Sequence, residues 1–531
     1  EVADDESSEA AMLKNPASLV ERMVALPVAE DAYFDLAVAE NGDLLILRGV
    51  QPGTATSPPG ESRRSQYALL RWSSSDKELT TVTTGVTGLT LSGDGKKMLA
   101  LKGGGTMLFG DASGDKFEPL DASGLLVMID PQAEWRQIFN DVVRMEAKYF
   151  YDPNMHGLDW ERVAQKYEPL LAHVGRREDL NTLLVRMIAE MQAGHNRVGG
   201  GDVYRGSSPG IGLLGADFVG ANGSIRIAKI YSGGLWNPYA KAPLAEPGLD
   251  VAEGDYLVSV NGQPVSADDN LFRHLQGTRG QQVSLGVASN PSGEGQRFVT
   301  VTPIASEQSL RLWSWVEGNR RTVDELSGGR VGYVYLPNTA GAGFTFFNRM
   351  FFPQTNKDAI IFDERSNGGG QAANYITEVL SRRYLSGWKD RHGATFNTPG
   401  GAHFGPKLML IDQSAGSGGD FLPYAFRLNG IGPLMGTRTW GGLIGISANP
   451  SLIDGGRLTV PYFRFFDVNY EWTVENQGVA PDIEVHLDPV RTNAGEDSQL
   501  SAAVEKLLED LETFEPSVPT KAPPYPTELG Q

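Results

Sequence analysis

The stretch KLMLIDQSAGSGGDFLPYAFRLNG, Lys407 to Gly430, decides how the second half of this chain is read. It opens with a short apolar run that reads as a buried strand, Lys407–Ile411, and closes with a segment, Gly418–Gly430, that reads as a helix. Between them, Ser417 is bracketed by glycines. A serine at that place stands at a helix N-terminus, where first-turn N–H groups lack acceptors and the helix dipole favours negative charge. It can serve as a nucleophile or simply as a turn. The question is what takes its proton.

The same plan recurs around it. From about Gln308 to Asp488, the strands RVGYVYL, DAIIFDER and KLMLIDQS alternate with the helices AANYITEVLSRRYL and GDFLPYAFRLNG. Such alternation argues a layered α/β domain with a largely parallel sheet. Ligands of such sheets bind beyond the carboxyl ends of the strands. Ser417 and the NGGG turn, Asn367–Gly370, both fall there.

Three further textures precede this domain. Residues 1–122 look like β-structure: AYFDLAVAENGDLLILRGV (32–50) turns at Asn41-Gly42, and VTGLTLSGDGKKMLALKGGGTMLFG (86–110) turns at Asp94-Gly95. Two similar units of about 45 residues suggest β-propeller blades, cut short because two blades close no ring. Residues 123–201 turn helical, with Trp135, Ile138, Phe139, Val142 and Val143 on one face. Asp179 is placed to cap a second helix carrying Leu180, Leu183, Leu184, Met187, Ile188 and Met191, which ends near Gly194-His195. Residues 202–306 return to β. There GIGLLGADF (210–218) and GDYLVSVNG (254–262) resemble a PDZ domain, a module that binds extended peptides by strand addition. Residues 307–490 form the α/β domain. Residues 491–531 hold an amphipathic helix (Leu500, Val504, Leu507, Leu508 and Leu511), expected to pack on the body or on a neighbouring subunit, and a proline-rich arm.

The bulk numbers bound the rest. At 531 residues the chain holds several cores. It is 40% hydrophobic and 21% charged, an ordinary soluble composition. Its 65 acids against 46 bases give a net charge of −19, which argues against sequence-blind nucleic-acid binding. No apolar run approaches the roughly 20 residues of a membrane span. Cysteine is absent and no histidine pair has helical metal-ligand spacing, so neither a metal nor a cofactor is expected, and no phosphate loop is visible. The start, EVADDESSEA, has neither Met nor an apolar leader and reads as processed or cut from a longer precursor, leaving a soluble cytoplasmic or periplasmic location open.

A serine nucleophile needs a base. No lysine lies between Lys407 and Lys506, which removes the Ser-Lys arrangement. Of seven histidines, His392 and His403 read as solvated loop residues, His173 and His274 as members of charged helical segments, and His156 as a turn residue. His486 follows Ser417 with Asp454, Asp467 and Asp482 between, the chain order of an α/β-hydrolase esterase. Yet AGSGG lacks the first glycine of G-x-S-x-G. His195 lies at a helix end followed by glycines, where a ring can project into a cleft.

EMQAGHNRVGGGD (190–202), the PDZ-like segment, DERSNGGG (363–370), AGSGGD (415–420), GTRTWGGLIGI (436–446) and VENQGVAPD (474–482) together resemble, in order, the motifs of tricorn proteases. The resemblance implies propeller, helical, PDZ and crotonase-like α/β domains in a serine peptidase. It implies cutting of oligopeptides, with release of short fragments from C-terminal ends, and assembly as a homo-oligomer, trimer or hexamer. It implies Ser417 as nucleophile, His195 as general base, Glu475 as the acid that orients it, and Gly418 with Gly370 as oxyanion donors, Gly369 remaining open. Archaeal members carry a serine just before the histidine; here that position is Gly194, so how Glu475 reaches the base is an open question. Trp440 is expected to line the cleft. Asp390, in GWKDRHG, falls where the family places a substrate-selecting acid. Asp363 and Arg365 are expected to pair structurally. The rival reading is a PDZ-containing peptide-binding scaffold whose peptidase domain is inert.

Overall fold

The computed structural model describes residues 23, 25–49, 67–114, 116–206, 209–233, 240–446, 449–519, 521–528 and 530. Residues 1–22 and 50–66 of the blade-like segment lie outside the described residues. Two units are distinct, one ending at Met128 and the other running from Ile129.

In the first unit, seven strands from Tyr33–Val38 to Phe117–Pro119 pair antiparallel with their chain neighbours. The expected turns at Gly42 and Gly95 are present, both glycines at positive φ (82° and 69°), a conformation that suits glycine. The two repeat units are not separate sheets. Strand Leu79–Leu91 pairs along its first part with Tyr67–Trp72 and along its second with Lys97–Lys102, the register shifting on either side of Val86. One bent strand thus belongs to both four-stranded meanders. Leu45, Leu47, Leu69, Val86, Met98 and Ala100 form the buried core.

The second unit opens with helices α1 (Pro131–Tyr149), α2 (Trp160–Tyr167) and α3 (Arg177–Ile188). Asp130 caps α1 by accepting from the N–H groups of Gln132 and Ala133, and Pro131 follows at the first helical position. Asp179 does not occupy the cap position expected of it. It sits within the first turn of α3 and its carboxylate reaches back to the N–H groups of Gly175 and Arg176. The helices leave one face open, and the chain closes it from far downstream. Strand Arg197–Gly199 pairs antiparallel with Arg457–Thr459, and Leu452, Leu458 and Val460 complete the helical core.

The PDZ-like segment is an antiparallel sheet built on Leu214, Ile225, Leu257, Leu285 and Val287. Beyond α4 (Gln308–Ser327) come β1 (Val331–Tyr335), α5 (Gly341–Phe351), β2 (Ala359–Asp363), α6 (Ala373–Leu380), β3 (Lys407–Ile411), α7 (Gly418–Leu428), β4 (Leu434–Gly436) and β5 (Ile483–Glu484). The strands pair in chain order and in parallel. Every residue of β1, β2 and β3 is buried, as a sheet covered on both faces requires. The terminal helix α8 (Ser498–Thr513) packs Leu500, Ala503, Val504 and Leu507 into this core. Arg365 grips Asp363 at 2.6 Å and reaches Asp497 at α8, so the expected structural pair also fastens the last helix. His403 is a correction. It is buried, not solvated, with Nε2 bonded to the Lys357 carbonyl, and burial lowers it to about 4.

Glu146, on the inner face of α1, is buried with neither carboxylate oxygen hydrogen-bonded. Burial pushes it up to about 8, and the Asn196 amide offsets only part of this. An exposed glutamate releases its proton near 4.5, so the folded protein holds more protons between those values and loses stability as pH rises through them. Glu146→Gln removes that loss. The variant is expected to gain roughly 2–4 kcal/mol over the wild type at pH 8.5, read as a melting temperature several degrees higher, with the difference closing by pH 4.

Candidate active site

Ser417 begins where β3 ends and α7 starts. Its φ of 60° and ψ of −118° lie outside the regions an L-residue favours, and such strain persists only where the surroundings impose it. Asp420 imposes it here. Its carboxylate is 0% exposed and accepts four hydrogen bonds: from Ser417 N (2.8 Å) and Gly442 N (3.0 Å) at one oxygen, and from Gly441 N (2.8 Å) and Thr439 Oγ1 (2.6 Å) at the other. Burial raises this carboxyl above its ordinary value, and the four donors offset only part of the rise. Ser417 N–H also reaches the Gly442 carbonyl at 3.1 Å.

The NGGG turn presses against the same elbow. A Cβ on Gly418 would lie 2.1 Å from Thr339 Oγ1 and 2.6 Å from Gly370 N, and one on Gly369 would lie 2.6 Å from Ser417 Cβ. Only bare backbone fits at either place. Gly369 donates its N–H to Asn367 Oδ1 at 2.9 Å. That amide is committed, which leaves Gly370 beside Gly418 as the candidate donor.

His195 is held between two anchors. Immediately after it, strand Arg197–Gly199 is fixed by its pairing. Immediately before it, Gly194 N–H donates to Glu475 Oε1 at 2.6 Å. Glu475 Oε2 accepts from the N–H groups of Leu443 and Ile444, each at 2.8 Å. Glu475 therefore reaches the turn of His195 through backbone and, among the described residues, makes no hydrogen bond to the ring; His195 Nδ1 is buried and unpartnered there. A Cβ on Gly194 would stand 2.8 Å from Glu475 Oε1 and 3.2 Å from Gly442 Cα, so the position has no free room for a side chain. Burial lowers the His195 imidazole below its ordinary value, Arg197 lowers it further, and the Glu475 and Asp420 carboxylates oppose both.

His195 and Ser417 line one cleft of about 940 Å³, together with Gly370, Gly418, Trp440 and Arg197. The Trp440 ring lies 5.3 Å from that of His195. Asp390 is not brought there. Its carboxylate closes the turn of the hairpin Ser386–Lys389/Thr395–Thr398 by accepting from His392 N and Ala394 N. The esterase arrangement is not assembled either. The His486 side chain is 73% exposed beside Glu484, Asp454 pairs with Arg177, Asp482 accepts from Leu434 N, and Asp467 closes a turn with Asn469 and Glu471. Among the described residues no cluster of three or more His, Asp or Glu could hold a metal ion.

Sequence reasoning missed Asp420, Thr439 and Thr339. An acidic residue three positions after the helix-capping serine was the available signal for Asp420.

Sheet, elbow and cleft define the chain as carrying a serine-peptidase fold of peptidase family S41, whose family model matches residues 330–485. Models of the tricorn protease C1 domain and the tricorn protease PDZ domain match residues 131–189 and 212–306. The chain belongs to the tricorn protease family. It is 34% identical to tricorn protease homolog 1 of Streptomyces coelicolor, over 95% of this chain and 48% of that protein. It is 30% identical to the tricorn protease homolog of Saccharolobus solfataricus, over 92% of this chain and 46% of that one. A crystal structure of the tricorn protease superposes with a TM-score of 0.79 at 26% identity, covering 94% of this chain and 50% of that chain. The chain spans about half the length of these relatives.

Asp420→Asn keeps the size of the side chain but turns one acceptor into a donor facing N–H groups. It is expected to cost roughly 2–4 kcal/mol in a denaturant melt, and to abolish labelling of Ser417 by a fluorophosphonate even where the variant is fully folded.

Proposed function

We propose that this chain is the peptide-cleaving part of a tricorn-type serine peptidase acting on oligopeptides. The observation that carries this reading is the opening of Ser417, His195 and the paired Gly370 and Gly418 backbones onto one cleft. Ser417 Oγ attacks a peptide carbonyl while His195 takes its proton. The oxyanion is met by the Gly418 and Gly370 N–H groups, and His195 returns the proton to the leaving amine. Water then repeats the cycle on the acyl-enzyme. Glu475 orients the base by fixing the Gly194 backbone and favours the imidazolium by its charge. The family resemblance further supports release of short peptides from C-terminal ends, a crotonase-like layering of the catalytic domain, propeller blades at the N-terminal side, and a trimeric or hexameric homo-oligomer.

Gly194, where archaeal members carry a serine, does not by itself favour the inert-scaffold reading, because its backbone N–H donates to Glu475. The deciding experiment is fluorophosphonate labelling and peptide cleavage read by mass spectrometry. Ser417→Ala is expected to lose both. His195→Ala is expected to lose roughly 10³-fold or more in kcat. His486→Ala is expected to keep wild-type rates. Because burial and Arg197 lower His195, the acid limb of kcat/KM is expected below the ordinary imidazole value. A folded wild type that neither labels nor cleaves would establish the scaffold instead.

A further inference from the structure

A second pocket, of about 510 Å³, borders the cleft and shares Arg197 with it. Its wall is the two-stranded ladder that follows His195. In that ladder Leu458 stands opposite Val198, and both are buried in the helical core. Alternation sends Arg197 and Arg457, the latter opposite Gly199, to the other face, diagonal neighbours on the pleat. Arg205 closes the pocket from the loop beyond Gly201. Three like charges thus line one pocket, and an anion between them would relieve their repulsion.

Among the described residues, no such anion is supplied by the chain. None of the three guanidinium groups has an ion pair or a hydrogen bond among the described residues. The one acid on the wall, Asp454, is already spent: it takes Arg177 Nε at 2.5 Å and the N–H groups of Asp202 and Gly456. Arg177 is itself only 3% exposed, and its Nη2 is buried without a partner. It lies just behind the floor, where a Cβ on Gly456 would come within 2.7 Å of that nitrogen. The floor glycines, Gly200, Gly201 and Gly455, all have positive φ (75°, 77° and 76°) and add no side chains to fill the space. A surplus of positive charge therefore stands open in a chain whose net charge is −19.

We infer that Arg197, Arg205 and Arg457 form an anion subsite that takes a carboxylate of the peptide held in the cleft. This rests on the peptidase reading above. Guanidinium groups match a carboxylate by paired N–H···O bonds, and Arg197, standing in both spaces, ties the subsite to the scissile position. The carboxylate is either the substrate's C-terminus or an acidic side chain.

Matched peptides separate the two sources: free acid against C-terminal amide, and Asp or Glu against Asn or Gln at successive positions. Wild type is expected to favour one carboxylate-bearing series by ~10-fold or more in kcat/KM, mainly through KM, with the preference shrinking as salt rises. Arg205→Gln/Arg457→Gln is expected to bring that ratio toward unity, and Arg457→Lys to retain part of it. Equal rates on charged and amidated peptides, or an unchanged ratio in the double Gln variant, would overturn the subsite. Binding of the same fluorescent peptides to Ser417→Ala tests it without turnover. A missing preference there overturns the subsite alone, whereas a preference without any cleavage by wild type sinks the peptidase reading and leaves the subsite standing.

Discussion

The carboxylate of Asp420 is the interaction on which the site depends. A buried carboxylate is costly unless its lone pairs are met, and here four donors meet them. Those donors come from two segments, the serine elbow and the loop after β4. The same carboxylate therefore holds Ser417 in its strained conformation and ties the loop down over it. The loop continues directly into Leu443 and Ile444, whose N–H groups hold Glu475, and Glu475 holds Gly194. Two buried carboxylates thus relay position from Ser417 to the turn that carries His195, across segments far apart in the chain.

This relay explains why the residue before His195 is glycine. A hydroxyl at that place is one way to join acid to base; here the backbone N–H does so at 2.6 Å. A Cβ on Gly194 would stand 2.8 Å from the carboxylate oxygen, so a side chain there requires Glu475 to shift. Val474 and Asn476 flank Glu475 at positive φ (70° and 61°), so the acid is presented from a strained turn of its own. Asn476 then donates to the Gln192 carbonyl at 2.8 Å, a second stitch between the same two turns. The strain is spent on bringing the carboxylate to backbone rather than to the ring.

Much of this was legible in the sequence, because much of it is periodic or local. Lys407–Gly430 shows strand, turn and helix in order, and the apolar stripe of α8 matches the face it buries. What could not be read depends on partners distant in the chain. Closure of the helical core by Leu452, Leu458 and Val460 leaves no trace in the helices themselves. Asp420 looks like an ordinary first-turn acid until Thr439, Gly441 and Gly442 fold onto it. Gly369 and Gly370 are equivalent in a glycine run, and only the Asn367 side chain separates them. Chain order alone suggested His486, but order does not bring residues together. His403 sits in a polar stretch that reads as solvated, yet the Lys357 carbonyl gives it a buried partner.

Three buried carboxyl groups differ in how far their burial is opposed, and the number of donors sets the difference. Asp420 has four, and they counter the burial that raises it. Glu364 is equally buried but has a single long donor, Asn367 Nδ2 at 3.3 Å, and burial drives its carboxyl well above the usual range. Glu146 makes no hydrogen bond of good geometry, the nearby Asn196 amide offsets little of its burial, and its carboxyl is likewise pushed up, to about 8. Arg197 disfavours a proton on the ring, while Glu475 and Asp420 favour it. A base must be neutral to accept the serine proton and must tolerate the cation that follows. Burial and Arg197 meet the first requirement, and the two hydrogen-bonded carboxylates meet the second.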